Sequence, residues 1–175
     1  MIIGVAGKSG AGKNFFAESL RIINPRLIHV DIDLIGHQTF EIPEVMEKLI
    51  MYFGDKILRD GKIDRKAVAD LVFTNRHNYD QMAEATWGHM QRLIDEAISD
   101  PTQDYILNWI LLPHSRYFAM CGITYLVVRD EELRVDGVLE RDGITRDALE
   151  DRDTNGIKYN PSDFTFVVLN NRRAK

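Results

Sequence analysis

The sequence predicts an α/β fold, with five parallel strands in one sheet and helices on both faces, a three-layer sandwich. Three observations predict it. Short apolar runs of strand length alternate with stretches whose apolar residues recur at helical spacing, the pattern of βαβ crossovers. The first apolar run passes directly into a glycine-rich turn and then a helix. The chain has 175 residues, 45% of them hydrophobic, enough to bury a core without disulfides or metals as staples.

Taken in order, Ile2–Ala6 is an unbroken apolar run closed by glycine and reads as a buried strand. Lys13–Ile23 carries Phe15, Phe16, Leu20 and Ile23 at helical spacing, and Asn24-Pro25 stops it. Residues 26–31 form the second strand. Pro43 opens a helix whose face is Val45, Met46, Leu49, Ile50 and Phe53, with Gly54 behind it. Asp60-Gly61-Lys62 is a turn signal. A helix over 65–73 comes next, capped by Asp64, and a longer one runs over about 78–98. Asp100-Pro101 ends the helical stretch. Residues 105–112, 123–128 and 164–169 are the third, fourth and fifth strands, the last rich in β-branched and aromatic residues. Helices fill 131–141 and 146–152.

One domain is expected, with its core at about 1–33, 102–129 and 160–175. A helical substrate-side insert occupies about 34–100 and a charged lid about 130–158. From Arg129 to Asp153, fifteen of twenty-five residues are charged, ten acids and five arginines. Such a span is expected to be a solvated helical pair, a mobile lid, or both. The overall net charge of −5 argues against nucleic acid as a partner. No apolar run approaches membrane-spanning length, and the N-terminus lacks the basic and apolar regions of a signal peptide. The single cysteine, Cys121, excludes a disulfide within the chain and a Cys-based zinc site; it reads as a small buried hydrophobe. A cytoplasmic protein, monomeric or a weak homo-oligomer, is expected.

The chemistry begins at Gly7-Lys8-Ser9-Gly10-Ala11-Gly12-Lys13-Asn14, which matches G-x-x-x-x-G-K with Asn14 where Ser or Thr is usual. Glycines let backbone N–H groups turn inward around a phosphate. The helix N-terminus adds its positive dipole end, and Lys13 supplies the charge for the β- and γ-phosphates. With a strand before it and a helix after it, the motif predicts a P-loop NTPase fold that binds ATP through Gly10, Ala11, Gly12, Lys13, Asn14 and Phe15. Asn14 is the candidate Mg²⁺ ligand through its amide oxygen. His29, His37, His77, His89 and His114 do not pair at a metal-ligand spacing.

Further along come Val30-Asp31-Ile32-Asp33-Leu34-Ile35-Gly36-His37, then Phe53-Gly54-Asp55-Lys56-Ile57-Leu58, then Asp60-Gly61-Lys62-Ile63-Asp64-Arg65-Lys66, then Val72-Phe73. With the phosphate loop, this series resembles the dephospho-CoA kinase family, whose members phosphorylate the ribose 3′-hydroxyl of dephospho-CoA with ATP in the last step of coenzyme A biosynthesis. The resemblance implies that Asp33 takes the proton from that hydroxyl. On local grounds Asp33 reads equally as a helix N-cap. Arg65 is implied to grip a phosphate of the acceptor, and Arg141 to close over the ATP phosphates from the lid. Asn171 is implied to lie near the adenine. The sequence departs from the family pattern at Trp87-Gly88, His114 and Gly137, positions of the acceptor pocket and the lid. Two other readings stay open: a kinase of this fold with a nucleoside or nucleotide acceptor, and a non-catalytic ATP-binding relative.

Overall fold

The apolar run at the start of the chain becomes the middle of a sheet. In the computed structural model, which describes residues 1–73 and 75–171, β1 (Ile2–Ala6) lies between β5 (Asp104–Asn108) and β6 (Ile123–Val128). β2 (Leu27–Asp31) and β7 (Phe166–Leu169) form the edges. All four pairings in this five-stranded sheet are parallel. Its neighbours are joined by crossovers, which accounts for the helical pattern between the strands. Register decides which strand ends meet. Asp31 and Val5 both stand opposite Asn108, so the C-terminal ends of β1, β2 and β5 come together at one edge of the sheet.

Helix α1 (Lys13–Ile23) packs on β1, β2 and β5. The core here is Ile3, Val5, Ala11, Ala17, Leu27, Ile106 and Val127, with Phe16 and Leu20 against it. These are the apolar positions of a strand run and of one helical face. The third strand stops at Asn108, four residues short of the expected end. Trp109 N still donates to Val5 O at 3.1 Å, but β1 ends at Ala6 and leaves no ladder to extend, so the chain turns into a short helical turn at Leu112–His114. β7 starts two residues late for a local reason. Thr124 and Thr165 exchange backbone N–H to side-chain oxygen bonds, each of 3.0 Å, in place of ladder bonds.

The chain divides into two compact units. One is Met1–Asp31 together with the chain from Asp100 onward, and the other is Ile32–Ser99. The expected core extends to residue 175, of which 172–175 lie outside the described residues. The second unit is helical: α2 (Ile32–Gln38), α3 (Pro43–Phe53), α4 (Arg65–Val72) and α5 (Arg76–Ala97), with a two-residue hairpin of β3 (Leu58–Arg59) and β4 (Lys62–Ile63). Asp60 and Gly61 both take positive φ, 51° and 74°, the conformation a tight two-residue hairpin needs. Val45, Leu49 and Phe53 of α3 bury against Val68 and Val72 of α4 and Ala85 of α5. Asp64 caps α4 as expected, accepting from the N–H groups of Lys66 and Ala67.

Helices α6 (Glu131–Asp142) and α7 (Arg146–Asn155) pair in the first unit. The charged span, expected as a solvated helical pair, a mobile lid, or both, is a helical pair that also buries a core of its own. Val135, Val138 and Leu149 form a small core between the two helices, and Arg134 is only 1% exposed. Among the described residues no helix is long and apolar enough to cross a membrane.

Candidate active site

The phosphate loop is built where β1 hands over to α1. Gly10 and Gly12 have φ of 78° and 89°, the left-handed region that a side chain resists. A Cβ on Gly10 would run into Val138 of α6, and one on Gly12 into the amide of Asn170. Glycine is therefore required twice, by conformation and by space. Gly12 precedes the first turn of α1 without a side-chain cap, which leaves that turn's N–H groups to a ligand. Lys13 is buried, and its Nζ donates to Lys8 O at 3.4 Å, so its ammonium folds back over the loop. Ala11 lies in the core beneath, and Phe15 is half-exposed at the helix start.

Guanidinium groups reach the loop from α6 and from the turn between β6 and α6. Arg134 Nη1 donates to Ser9 O at 3.0 Å, Arg129 Nη1 to Gly10 O at 3.3 Å, and Arg141 Nη2 to Ser9 Oγ at 3.1 Å. Arg134 also bonds both Glu131 and Asp153, so one buried cation joins α6, α7 and the loop. Its hydrogen bond holds the Glu131 carboxyl below the usual range. Arg141 shares its guanidinium with Asp142, which it likewise holds low. Asn170 Nδ2 donates to Ala11 O at 2.9 Å, and Asn171 Oδ1 accepts from Asp130 N at the cap of α6.

The opposite side of the loop is made of amides. Asn14 Nδ2 donates to Asp31 Oδ2 at 2.8 Å, and Asn14 Oδ1 accepts from Asn108 Nδ2 at 2.5 Å. Asn108 Nδ2 also lies 3.2 Å from His29 Nε2, and His29 Nδ1 lies 3.0 Å from Glu18 Oε1. Hydrogen bonds from His29, then Arg21, hold the Glu18 carboxyl below its ordinary value.

Magnesium is a hard cation that prefers carboxylate, carbonyl and water oxygens. The Asp31 carboxylate beside the loop fits that preference. The Asn14 oxygen, expected as the metal ligand, already accepts a short bond from Asn108. Among the described residues no group of three or more His, Cys, Asp or Glu side chains converges as a metal site. A nucleotide-borne cation takes most of its ligands from phosphate and water.

The structure thus brings Gly10, Ala11, Gly12, Lys13, Asn14 and Arg141 together, with Asn171 at the base of α6. Asp33 and Arg65 belong to the second unit. Asp33 is exposed in the first turn of α2, inside the helix rather than at its N-cap. Arg65 is exposed at the first position of α4. Sequence reasoning missed Arg129, Arg134, His29 and Asn108. Glu131 and Arg134 at i and i+3 gave a pairing signal for one of these. The Asn14/Glu18 spacing on a helix beside His29/Asp31 on a strand gave one for the others.

A parallel sheet with flanking helices, a phosphate loop after its central strand and a lysine folded over that loop define a P-loop kinase. The family model described as CoaE, dephospho-CoA kinase, matches residues 1–172. The chain belongs to the dephospho-CoA kinase family. The dephospho-CoA kinase of Fusobacterium nucleatum subsp. nucleatum is 29% identical over 152 residues, covering 86% of this chain and 78% of the relative. That of Shouchella clausii is 28% identical over 158 residues, covering 87% and 79%. Among solved structures, TT1252 from Thermus thermophilus superposes with a TM-score of 0.80 at 26% identity, covering 98% of this chain and 89% of the other. A dephospho-CoA kinase from Campylobacter jejuni, at 19% identity and a TM-score of 0.63, covers 98% and 88% and shows the shared fold.

Proposed function

We propose that this kinase transfers the γ-phosphoryl group of ATP to the ribose 3′-hydroxyl of dephospho-CoA in the cytoplasm, yielding CoA and ADP. The observation that carries the reading is the phosphate loop of a chain in this family: two left-handed glycines, Lys13 folded over the loop and Arg141 on Ser9. Gly10, Ala11, Gly12 and Lys13 bind the ATP phosphates through backbone N–H groups and one ammonium, with Asn14 and Phe15 at the helix start. Arg141 moves from Ser9 onto the transferring group, and Asn171 stands at the adenine side. Asp31 would hold the Mg²⁺ that accompanies ATP, with Asn14 as its hydrogen-bond partner, and the ion would supply neutralisation of phosphate charge.

Asp33 accepts the proton of the 3′-hydroxyl as its oxygen bonds to phosphorus and the bond to the ADP oxygen breaks. Arg65 grips a phosphate of the acceptor with its forked donors. Catalysis here is positioning and charge neutralisation rather than covalent chemistry.

The test is an assay with ATP and Mg²⁺ across dephospho-CoA and a panel of nucleosides and nucleotides. Transfer to dephospho-CoA is expected, absent in Lys13→Ala. Asp33→Asn should lower kcat by ~10²–10⁴ with ATP affinity retained, the usual range for a positioned acid or base. Arg65→Ala should raise the half-saturating acceptor concentration instead. Transfer confined to a nucleoside would overturn the acceptor assignment.

A further inference from the structure

Phosphate binding alone does not account for the row of side chains behind the first turn of α1. Asn14 and Glu18 are four residues apart on one face of α1, and His29 and Asp31 are two apart on one face of β2. Asn108 ends β5 in register with Asp31. The five meet in the order Glu18, His29, Asn108, Asn14, Asp31.

Every hydrogen bond in the row has a fixed direction. A carboxylate only accepts, so Asp31 turns the NH₂ of Asn14 toward itself. Asn14 Oδ1 then faces the other way and must meet a donor, which is Asn108 Nδ2. The same NH₂ faces His29 Nε2, leaving the ring's proton on Nδ1 to donate to Glu18. Asn108 is 1% exposed, and its Oδ1 is buried without a hydrogen-bond partner among the described residues. Turning that amide over would set Asn108 Oδ1 against Asn14 Oδ1. The side chain is held in the orientation that strands its own oxygen, because its NH₂ is what the row requires.

We propose that Asn108 is a positioning residue of the phosphoryl transfer. By occupying Asn14 Oδ1 it aims the Asn14 NH₂ at Asp31, and so fixes the Asp31 carboxylate as the oxygen that orders the nucleotide's divalent cation. Asn14 acts as a donor to Asp31. That is how a neutral amide serves at a loop position usually given to a hydroxyl. The inference rests on the proposed ATP-dependent transfer for its consequence, though the cation dependence of ATP binding is measurable without any acceptor.

The experiment measures ATP affinity by calorimetry in EDTA and across a Mg²⁺ titration, with the Mg²⁺ dependence of kcat beside it. Asn108→Leu should raise the half-saturating Mg²⁺ concentration roughly 10-fold, the lower end of what losing a supporting hydrogen bond to a metal ligand does. ATP affinity in EDTA should hold. Asn108→Asp keeps the size but offers oxygen where the NH₂ stood, and should shift the same way; it carries the test if the leucine variant does not fold. In an Asn14→Ser background, where no amide needs aiming, Asn108→Leu should shift the Mg²⁺ requirement less than about 2-fold. An unchanged Mg²⁺ requirement in Asn108→Leu, or an equal shift in both backgrounds, would overturn the proposal. A protein inactive on dephospho-CoA that still shows the calorimetric shift would lose its proposed acceptor and keep this inference.

Discussion

The phosphate loop is gripped from two sides by different chemistry. From α6 and the turn before it come guanidinium groups: Arg134, Arg129 and Arg141 each donate to Ser9 or Gly10. From α1 and β5 come neutral amides, Asn14 and Asn108, ending on the Asp31 carboxylate of β2. Each kind of contact suits a separate task. Charge-assisted hydrogen bonds from a guanidinium to carbonyls and carboxylates are strong and shared among several partners, so they hold helices in place. Amide bonds have a head and a tail, so a short row of them transmits orientation from one side chain to the next. The guanidinium side is built for stability and the amide side for aim.

That contrast is testable, beginning with its largest effect. Arg134→Leu should remove about 1.5–3 kcal/mol of unfolding free energy, the range for losing the hydrogen bonds of a charged group. Denaturant midpoints measure it, and Asn108→Leu should lose less than half as much. Equal losses from the two variants would erase the distinction between the sides. A smaller effect concerns acid. The folded Glu131 carboxyl is held below its usual 4.5 by the Arg134 hydrogen bond, so its contribution is complete above pH 4.5 and is lost as pH falls through the lower folded value. Thermal unfolding of the wild type should therefore weaken below about pH 4.5 more than that of Glu131→Gln, whose flatter profile is the check. The smallest effect belongs to Arg141, an exposed side chain paired with its neighbour Asp142. Arg141→Ala should change stability by about 0–1 kcal/mol while transfer slows. A Tm loss matching that of Arg134→Leu would show that the lid's ion pairs act as one unit.

The loop and the elements around it were legible because their causes are local. Glycines at 10 and 12, a lysine after them, an apolar run before them and Asn24-Pro25 beyond the helix point the same way whatever the rest of the chain does. Asp64 before α4 and Asp60-Gly61 in the hairpin are local too. The end of β5 was not legible, since Trp109, Ile110, Leu111 and Leu112 continue the apolar run and only the end of the neighbouring strand stops it. α2 entered only as a helix that Asp33 would cap; it begins at Ile32 instead, and its seven residues hold too few turns to show a period. Arg134 escaped for a stronger reason. Its composition says surface, while its burial is decided by Asp153, nineteen positions away, and Ser9, 125 positions away. Asn108 reads as the polar end of a strand until Asn14 is seen against it.

Those long separations bear on how the chain is made. Ser9 leaves the ribosome well before its partners: the arginine that holds its carbonyl comes 125 residues later, and the asparagine on Ala11 comes 159 residues after that alanine. At roughly 5–20 residues per second, about 6–25 s pass between synthesis of Ser9 and of Arg134. Throughout that interval the nascent glycine segment has neither its lid contacts nor the complete set of strands that flank β1. The loop, translated before the side chains that hold it, is thus among the later parts to take shape, and nucleotide reaches a finished cradle only once Asn170 has emerged.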